Sequence, residues 1–180
     1  YVWCVSIDLD RFFDRVNHHR LMSRLATRIS DKRVLRLINS FLKAGVMRNG
    51  VKIETVEGTP QGSPISPLLS NIVLDELDKE LERRGLRFVR FADDCVIMVR
   101  SKRGGEPVIS NVTRFINRKL RLKVKEEKSR VVEALYLKYL GFSFVMNRAN
   151  PKIRIHSTSW NKLKDKVREH TRRKRGRSVD

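Results

Sequence analysis

Asp93 and Asp94 stand side by side between two apolar runs, Arg87-Phe88-Val89-Arg90-Phe91 and Cys95-Val96-Ile97-Met98-Val99. Both runs are of strand length and rich in β-branched and aromatic residues, so they read as a buried hairpin with the aspartates at its bend. Two carboxylates held that close repel one another unless cations neutralise them. Hard oxygen ligands of this kind suit Mg²⁺, which is commonly held by one or two carboxylates together with substrate phosphates. A second acidic centre, Asp8-Leu9-Asp10-Arg11-Phe12-Phe13-Asp14, follows an apolar run from Tyr1 to Ile7. Asp8 ends that strand, where its side chain can sit beside the hairpin at the mouth of a sheet. Three carboxylates from two strands would make a two-metal site, with ions about 3.5–4 Å apart, one activating an attacking oxygen and the other stabilising a leaving oxygen. That is the chemistry of nucleotidyl transfer. Asp10 and Asp14 have simpler readings, as a solvated residue and a helix N-cap.

The elements that must hold these carboxylates follow from periodicity. Leu21, Met22, Leu25 and Ile29 recur at helical spacing after the Asp14–Asn17 region. Asp31 reads as the N-cap of a second helix, whose apolar stripe is Val34, Leu35, Leu37, Ile38, Phe41 and Leu42 and whose stop is Gly45. Asn49-Gly50 is a hairpin turn signal before the alternation from Val51 to Val56. The stretch from Gly58 to Pro67 is too rich in Gly and Pro for regular structure and leads into a helix over about 67–84, with Leu68, Leu69, Ile72, Val73, Leu77 and Leu81 on its apolar face. Gly85 ends it. Beyond the hairpin, residues 102–105 read as a polar turn and Val108, Val112, Phe115, Ile116 and Leu120 as an amphipathic helix. Short strands are expected at 122–124, 131–132, 139–145 and 153–155. Ser157 or Ser159 should cap a last helix carrying Trp160, Leu163 and Val167 on one side.

The chain of 180 residues has a net charge of +20 and is 40% hydrophobic, which favours a folded protein whose partner is a polyanion, nucleic acid ahead of an acidic membrane. From Asn147 onward, twelve Lys or Arg face three acidic residues, and Arg172-Arg173-Lys174-Arg175-Gly176-Arg177 forms a basic tail. There is no apolar run of eighteen residues, so no membrane partner is expected. Cys4 and Cys95 lie in strand-like runs outside any CxxC or Cys/His cluster, which points to buried reduced thiols in a cytosolic protein and away from zinc. Opening directly in a strand suggests a true N-terminus further upstream.

Five segments, DLDRFFD from Asp8, GTPQGSPISPLLSNIVLDEL from Gly58, RFVRFADDCVIMV from Arg87, LRLKVKEEKS from Leu120 and YLGFSF from Tyr139, occur in the order expected of a reverse transcriptase palm. The chain most resembles the group II intron-encoded reverse transcriptases, which also act as RNA-splicing maturases. The resemblance implies an α+β fold, an antiparallel sheet packed by helices, with partial fingers (residues about 15–57) in a palm over 1–156 and a basic helical connection to the thumb over 157–180. It implies that Asp8, Asp93, Asp94 and the backbone carbonyl of Leu9 bind two Mg²⁺ ions, for which Mn²⁺ could substitute. By the same resemblance, Phe13 matches the residue that excludes a 2′-hydroxyl, Pro60, Gln61 and Gly62 line the nucleotide and template pocket, Lys128 lies near the triphosphate, and Leu140 and Gly141 support the primer end.

Two departures accompany the match: Phe91 replaces the Tyr of the YADD box, and His19 stands where relatives commonly carry Asp. His18 and His19 are given no role. The implied partners are an RNA template, a DNA primer, dNTPs and intron RNA, with a homodimer left open and a bacterial-type cytoplasmic, nucleoid- or RNA-associated location. The family's fingers should lie upstream and the thumb enters only as its first helix, so this chain alone is expected to be weakly active or inactive. Two alternatives stay open: an RNA-binding splicing cofactor without significant polymerase activity, and a CRISPR-associated or retron-type reverse transcriptase. The intact carboxylate set favours the polymerase.

Overall fold

The computed structural model describes residues 2–48, 51–53, 57–59, 64–147 and 150–172. At its centre, β1 (Trp3–Ile7), β4 (Arg87–Phe91), β5 (Asp94–Val99) and β6 (Arg130–Glu133) form one antiparallel sheet in the order β4-β5-β1-β6. The remaining elements are α1 (His18–Ala26), α2 (Lys32–Lys43), the short pair β2 (Val46–Arg48) and β3 (Val51–Ile53), α3 (Ser66–Arg83), α4 (Lys102–Phe115), the hairpin β7 (Phe142–Asn147) and β8 (Asn150–Ile155), and α5 (Ser157–His170). This is the expected α+β architecture.

Alternation along the strands gives the sheet two unlike faces. Val5, Ile7, Cys95, Ile97 and Val99 point to one face, where Leu21 and Leu25 of α1, Leu69, Leu74, Leu77 and Leu81 of α3, and Val112 and Ile116 of and after α4 close the main core. A fully buried Leu contributes about 1.5–3 kcal/mol, so this face holds most of the fold's stability. The other face carries only a small cluster, Cys4, Val96 and Leu137, partly covered by Met98, Tyr139 and Phe144. Cys4 and Cys95 are both free and buried, as expected, and burial pushes the Cys95 thiol up to about 12.

Asp31 caps α2 by accepting a hydrogen bond from the Arg33 amide at 2.7 Å, and Gly45 and Gly85, at φ +77° and +67°, follow the ends of α2 and α3. Other expectations need correction. Asn17, not Asp14, caps α1, because its Oδ1 accepts from the Arg20 amide while exposed Asp14 ends a preceding 3₁₀ turn. His156, through Nδ1, caps α5 in place of Ser157 or Ser159. Residues 102–105 are the first turn of α4, capped by Ser101, rather than a polar turn. Close approach explains Gly105, where a Cβ would lie 2.6 Å from Val131 Cγ1. Strand 122–124 reduces to one bridge between Val124 and Leu9. On α3 the buried set includes Leu74, and Leu68 points to solvent. On α2 only part of the stripe is buried, with Val34, Leu37 and Phe41 exposed. Strand β4 is a half-exposed edge rather than a buried run. The Asn49-Gly50 turn, residues 54–56 and the basic tail beyond Arg172 lie outside the described residues.

Candidate active site

Register brings the carboxylates together. Strand β1 pairs with β5 so that Ile7 faces Cys95 and Ser6 faces Val96. Continuing that register by one residue sets Asp8 opposite Asp94, on the face away from the helical core. Directly opposed side chains on neighbouring strands have Cβ atoms about 4.5–5.5 Å apart, and like charges there repel. Partial desolvation, then the charges of Asp93 and Asp8, push the Asp94 carboxyl above the usual carboxylate range, with Lys128 opposing. The two residues share an open cleft with Lys128, Tyr136, Lys138 and Tyr139.

Asp93 stands in the tight turn that leads into Asp94. Phe91 pairs with Asp94, leaving Ala92 and Asp93 as a two-residue loop, so Asp94 already belongs to β5. Ala92 has φ +52°, a left-handed conformation that costs a residue with a Cβ about 1–2 kcal/mol. The neighbouring guanidinium of Arg90 donates to the Ala92 carbonyl at 2.9 Å.

The segment around Val124 holds Asp8 from the other side. Lys125 N–H donates to the Asp8 carbonyl at 2.8 Å and Asp10 N–H to the Lys123 carbonyl at 2.8 Å, while the Asp8 amide donates to Ser129 Oγ at 3.1 Å. Those bonds flank the Leu9–Val124 pair, so the backbone groups of Leu9 point away from that segment, toward the β5 side. Lys128 lies across the cleft mouth, its Nζ 3.9 Å from Asp8 Oδ2. Asp10 is not a bare solvated residue: it pairs with Arg15 at 2.9 Å.

Phe13 sits half-buried against the ring of Phe12, with centroids 5.3 Å apart, in the 3₁₀ turn just after Asp8. Its carbonyl accepts from the Thr59 amide at 2.6 Å, and the Gly58 amide donates to Val16 O at 2.8 Å. Gly58 needs its missing side chain: φ is +92°, and a Cβ would come within 2.9 Å of the Phe13 carbonyl oxygen. Pro60, Gln61 and Gly62 lie outside the described residues; the segment entering them is fastened to the Phe13 turn.

Leu140 and Gly141, at φ +50° and +84°, form a two-residue turn closed by paired Tyr139–Phe142 backbone bonds of 3.0 and 2.9 Å. Tyr139, just before that turn, lines the carboxylate cleft. His18, read as having no role, is 8% exposed and its Nε2–H donates to the Gly58 carbonyl at 2.5 Å. Burial within an otherwise polar stretch, Asn17-His18-His19-Arg20, is what the sequence did not display. His19 is exposed.

The donor set fits a hard divalent cation: acid oxygens only, mutually repelling and facing a wet cleft. Among the described residues, no three His, Cys, Asp or Glu side chains already converge as a metal cage. Substrate phosphates ordinarily complete such a coordination shell. No helix of the described residues is long and apolar enough to cross a membrane.

A family model described as reverse transcriptase (RNA-dependent DNA polymerase) matches residues 1–144. Similar curated proteins include the putative COX1/OXI3 intron 2 protein of Saccharomyces cerevisiae, 35% identical over 72% of this chain and 14% of that protein. The group II intron-encoded protein LtrA of Lactococcus lactis is 26% identical over 82% of this chain and 35% of its own length. The chain therefore spans well under two thirds of these relatives. Among solved structures, apo telomerase from Candida tropicalis superposes with a TM-score of 0.66 at 14% identity, over 88% of this chain and 33% of that one, which establishes a shared fold. Family membership implies dependence on a divalent metal in general. With 144 of 180 residues matched, the chain belongs to the reverse transcriptase (RNA-dependent DNA polymerase) family.

Proposed function

We propose that this chain is the palm of a group II intron-type reverse transcriptase, which adds dNTPs to a primer 3′-hydroxyl on an RNA template. The observation that carries the reading is the open cleft that Asp8 and Asp94 share where the β1–β5 register ends at Ile7 and Cys95, with Asp93 in the adjoining turn and Lys128 at 3.9 Å from Asp8. Asp8, Asp93, Asp94 and the Leu9 carbonyl would hold two Mg²⁺ ions, or Mn²⁺ in their stead. Such ions, when bound, lower the pKa of the attacking hydroxyl and neutralise the triphosphate.

The chain's own groups supply the rest. Lys128 offers an ammonium to the triphosphate or the departing pyrophosphate. The half-buried ring of Phe13 would meet the 2′-position of an incoming sugar and so favour dNTPs. Gly58 and Thr59, bonded to the Val16 and Phe13 carbonyls, lead into Pro60, Gln61 and Gly62, which would serve nucleotide and template contact. The Leu140-Gly141 turn supports the primer end. Residues 1–156 serve as palm with part of the fingers, and 157–180 connect to the thumb. Positioning and electrostatics, more than covalent chemistry, would provide the acceleration.

Relatives named as intron-encoded proteins support intron RNA as a further partner, and the proposal includes roles in splicing and mobility and a cytoplasmic location. The test is Mg²⁺-dependent incorporation on a primed RNA template by the whole protein that carries this chain, at moderate salt. Incorporation that Asp93→Ala abolishes is the expected result. Tight, salt-sensitive RNA binding without incorporation would replace the polymerase with a splicing cofactor.

A further inference from the structure

Arg90 projects from β4 toward the helices, on the face opposite the carboxylates, and its side chain is only 9% exposed. One guanidinium there joins three elements. Its Nε and Nη2 donate to the two oxygens of Asp78 on α3, at 2.7 and 2.5 Å. Its Nη1 donates to Asn71 Oδ1, also on α3, at 3.0 Å, and to the Ala92 carbonyl in the catalytic turn at 2.9 Å. The fork on Asp78 compensates the buried charge, as burial requires. That leaves Nη1 free to act on the turn. Ala92 sits in a left-handed conformation without a glycine's freedom, and such strain persists only where the surroundings over-determine it.

We infer that Arg90 is a positioning residue of the active site: through Asn71 and Asp78 it locks the Ala92–Asp93 turn to α3, and so fixes where Asp93 stands relative to Asp8. Helix α3 begins at Ser66, four residues after Gly62. The same clamp thus ties the carboxylate turn to the element that follows the nucleotide-pocket segment. The catalytic meaning of this clamp rests on the polymerase reading; its effect on the carboxylates does not.

Two variants separate the clamp from mere stability. Arg90→Lys keeps a cation for Asp78, but one ammonium cannot also serve Asn71 and the Ala92 carbonyl. Asn71→Ala removes an exposed residue and leaves the Arg90–Asp78 fork in place. Three readouts apply: thermal midpoint, Mn²⁺ affinity of the protein alone by water-proton relaxation, and single-dNTP incorporation. For Arg90→Lys the expectation is a kcat about 10²-fold lower, since misplacing a catalytic group by about 1 Å costs that much. Its KM for dNTP should hold within about twofold, because the lost contact serves geometry rather than substrate binding. Mn²⁺ affinity should fall several-fold, and Asn71→Ala should show the same pattern, weaker, at an unchanged midpoint.

Leu81→Val, a core control away from the turn, should lose midpoint without losing Mn²⁺ affinity. Unchanged Mn²⁺ affinity and kcat in a folded Arg90→Lys, equal losses in the Leu81→Val control, or a wild type without any Mn²⁺ response would each overturn the clamp. If Arg90→Lys does not fold, Asn71→Ala decides alone. Failure of the polymerase reading looks different: no incorporation by the wild type, with Mn²⁺ affinity still falling in Arg90→Lys.

Discussion

The two faces of the central sheet are built from the same strands and behave as opposites. On one face, Ile7, Cys95 and Ile97 meet three helices and are at most 2% exposed. On the other, one residue past Ile7 and one before Cys95, Asp8 and Asp94 share a wet cleft whose apolar lining is a handful of side chains. The first face is stable because its apolar side chains are buried and its charged Arg90 is hydrogen-bonded. The second holds like charges in opposition, an arrangement that lowers stability and becomes useful only when a cation and a phosphate-bearing substrate enter. A period of two along the strand is what allows a single backbone to carry both.

Substitutions that break this contrast should separate cleanly by face. The largest effect belongs to the wet face: Asp93→Ala should lower incorporation by at least about 10³-fold, comparable with loss of a principal electrostatic group in other enzymes, while thermal melting stays near the wild type. Leu77→Ala, on the helical face and 1% exposed, should do the reverse, costing about 2–5 kcal/mol in denaturant titrations and leaving the kcat of the folded fraction intact. Gly58→Ala lies between the two. Its Cβ would press on the backbone of Phe13 and Asp14 at a φ of +92°, so about 1–3 kcal/mol of stability should be lost together with a raised KM for dNTP.

The smallest effect sharpens the contrast. A carboxyl raised above its unfolded value contributes stability that is complete below the unfolded value and disappears as pH rises through the folded one. Asp94 is such a group. Metal-free Asp94→Asn should therefore match the wild type at acid pH and become slightly the more stable above the usual carboxylate range. Melting curves across that range, with a chelator present, would expose the opposite trend if Asp94 were instead stabilised by its neighbours.

Much of this was legible in residue order. The alternation in β1 and β5, the flanking of Asp93-Asp94 by apolar runs, the cap at Asp31 and the stops at Gly45 and Gly85 are local signals, readable because backbone preference and burial agree along one short stretch. The apolar face of α2 misled, since periodicity reports which residues lie on one side of a helix and not whether a partner covers them. Val34 and Phe41 share a side with Leu42, yet only Leu42 is buried. The N-caps of α1 and α5 were misjudged for a related reason. Asp14 and Asn17, like His156 and Ser157, are both chemically able to cap, and the residue whose side chain meets the first free amide, Arg20 N–H or Thr158 N–H, is the cap.

By itself, then, the sequence determined the carboxylates and their strands, because each depends on residues within a few positions of one another, while the α+β class followed from the order of five motifs along the chain. Tertiary structure alone decided that Asp8 meets Asp94, that Lys128 arrives 3.9 Å from Asp8, that His18 fastens Gly58 and that Arg90 serves Asn71, Asp78 and Ala92 at once. Those contacts join positions up to 120 residues apart, and a register or a buried hydrogen bond across that distance exists only after the helices have closed one face of the sheet and left the other open.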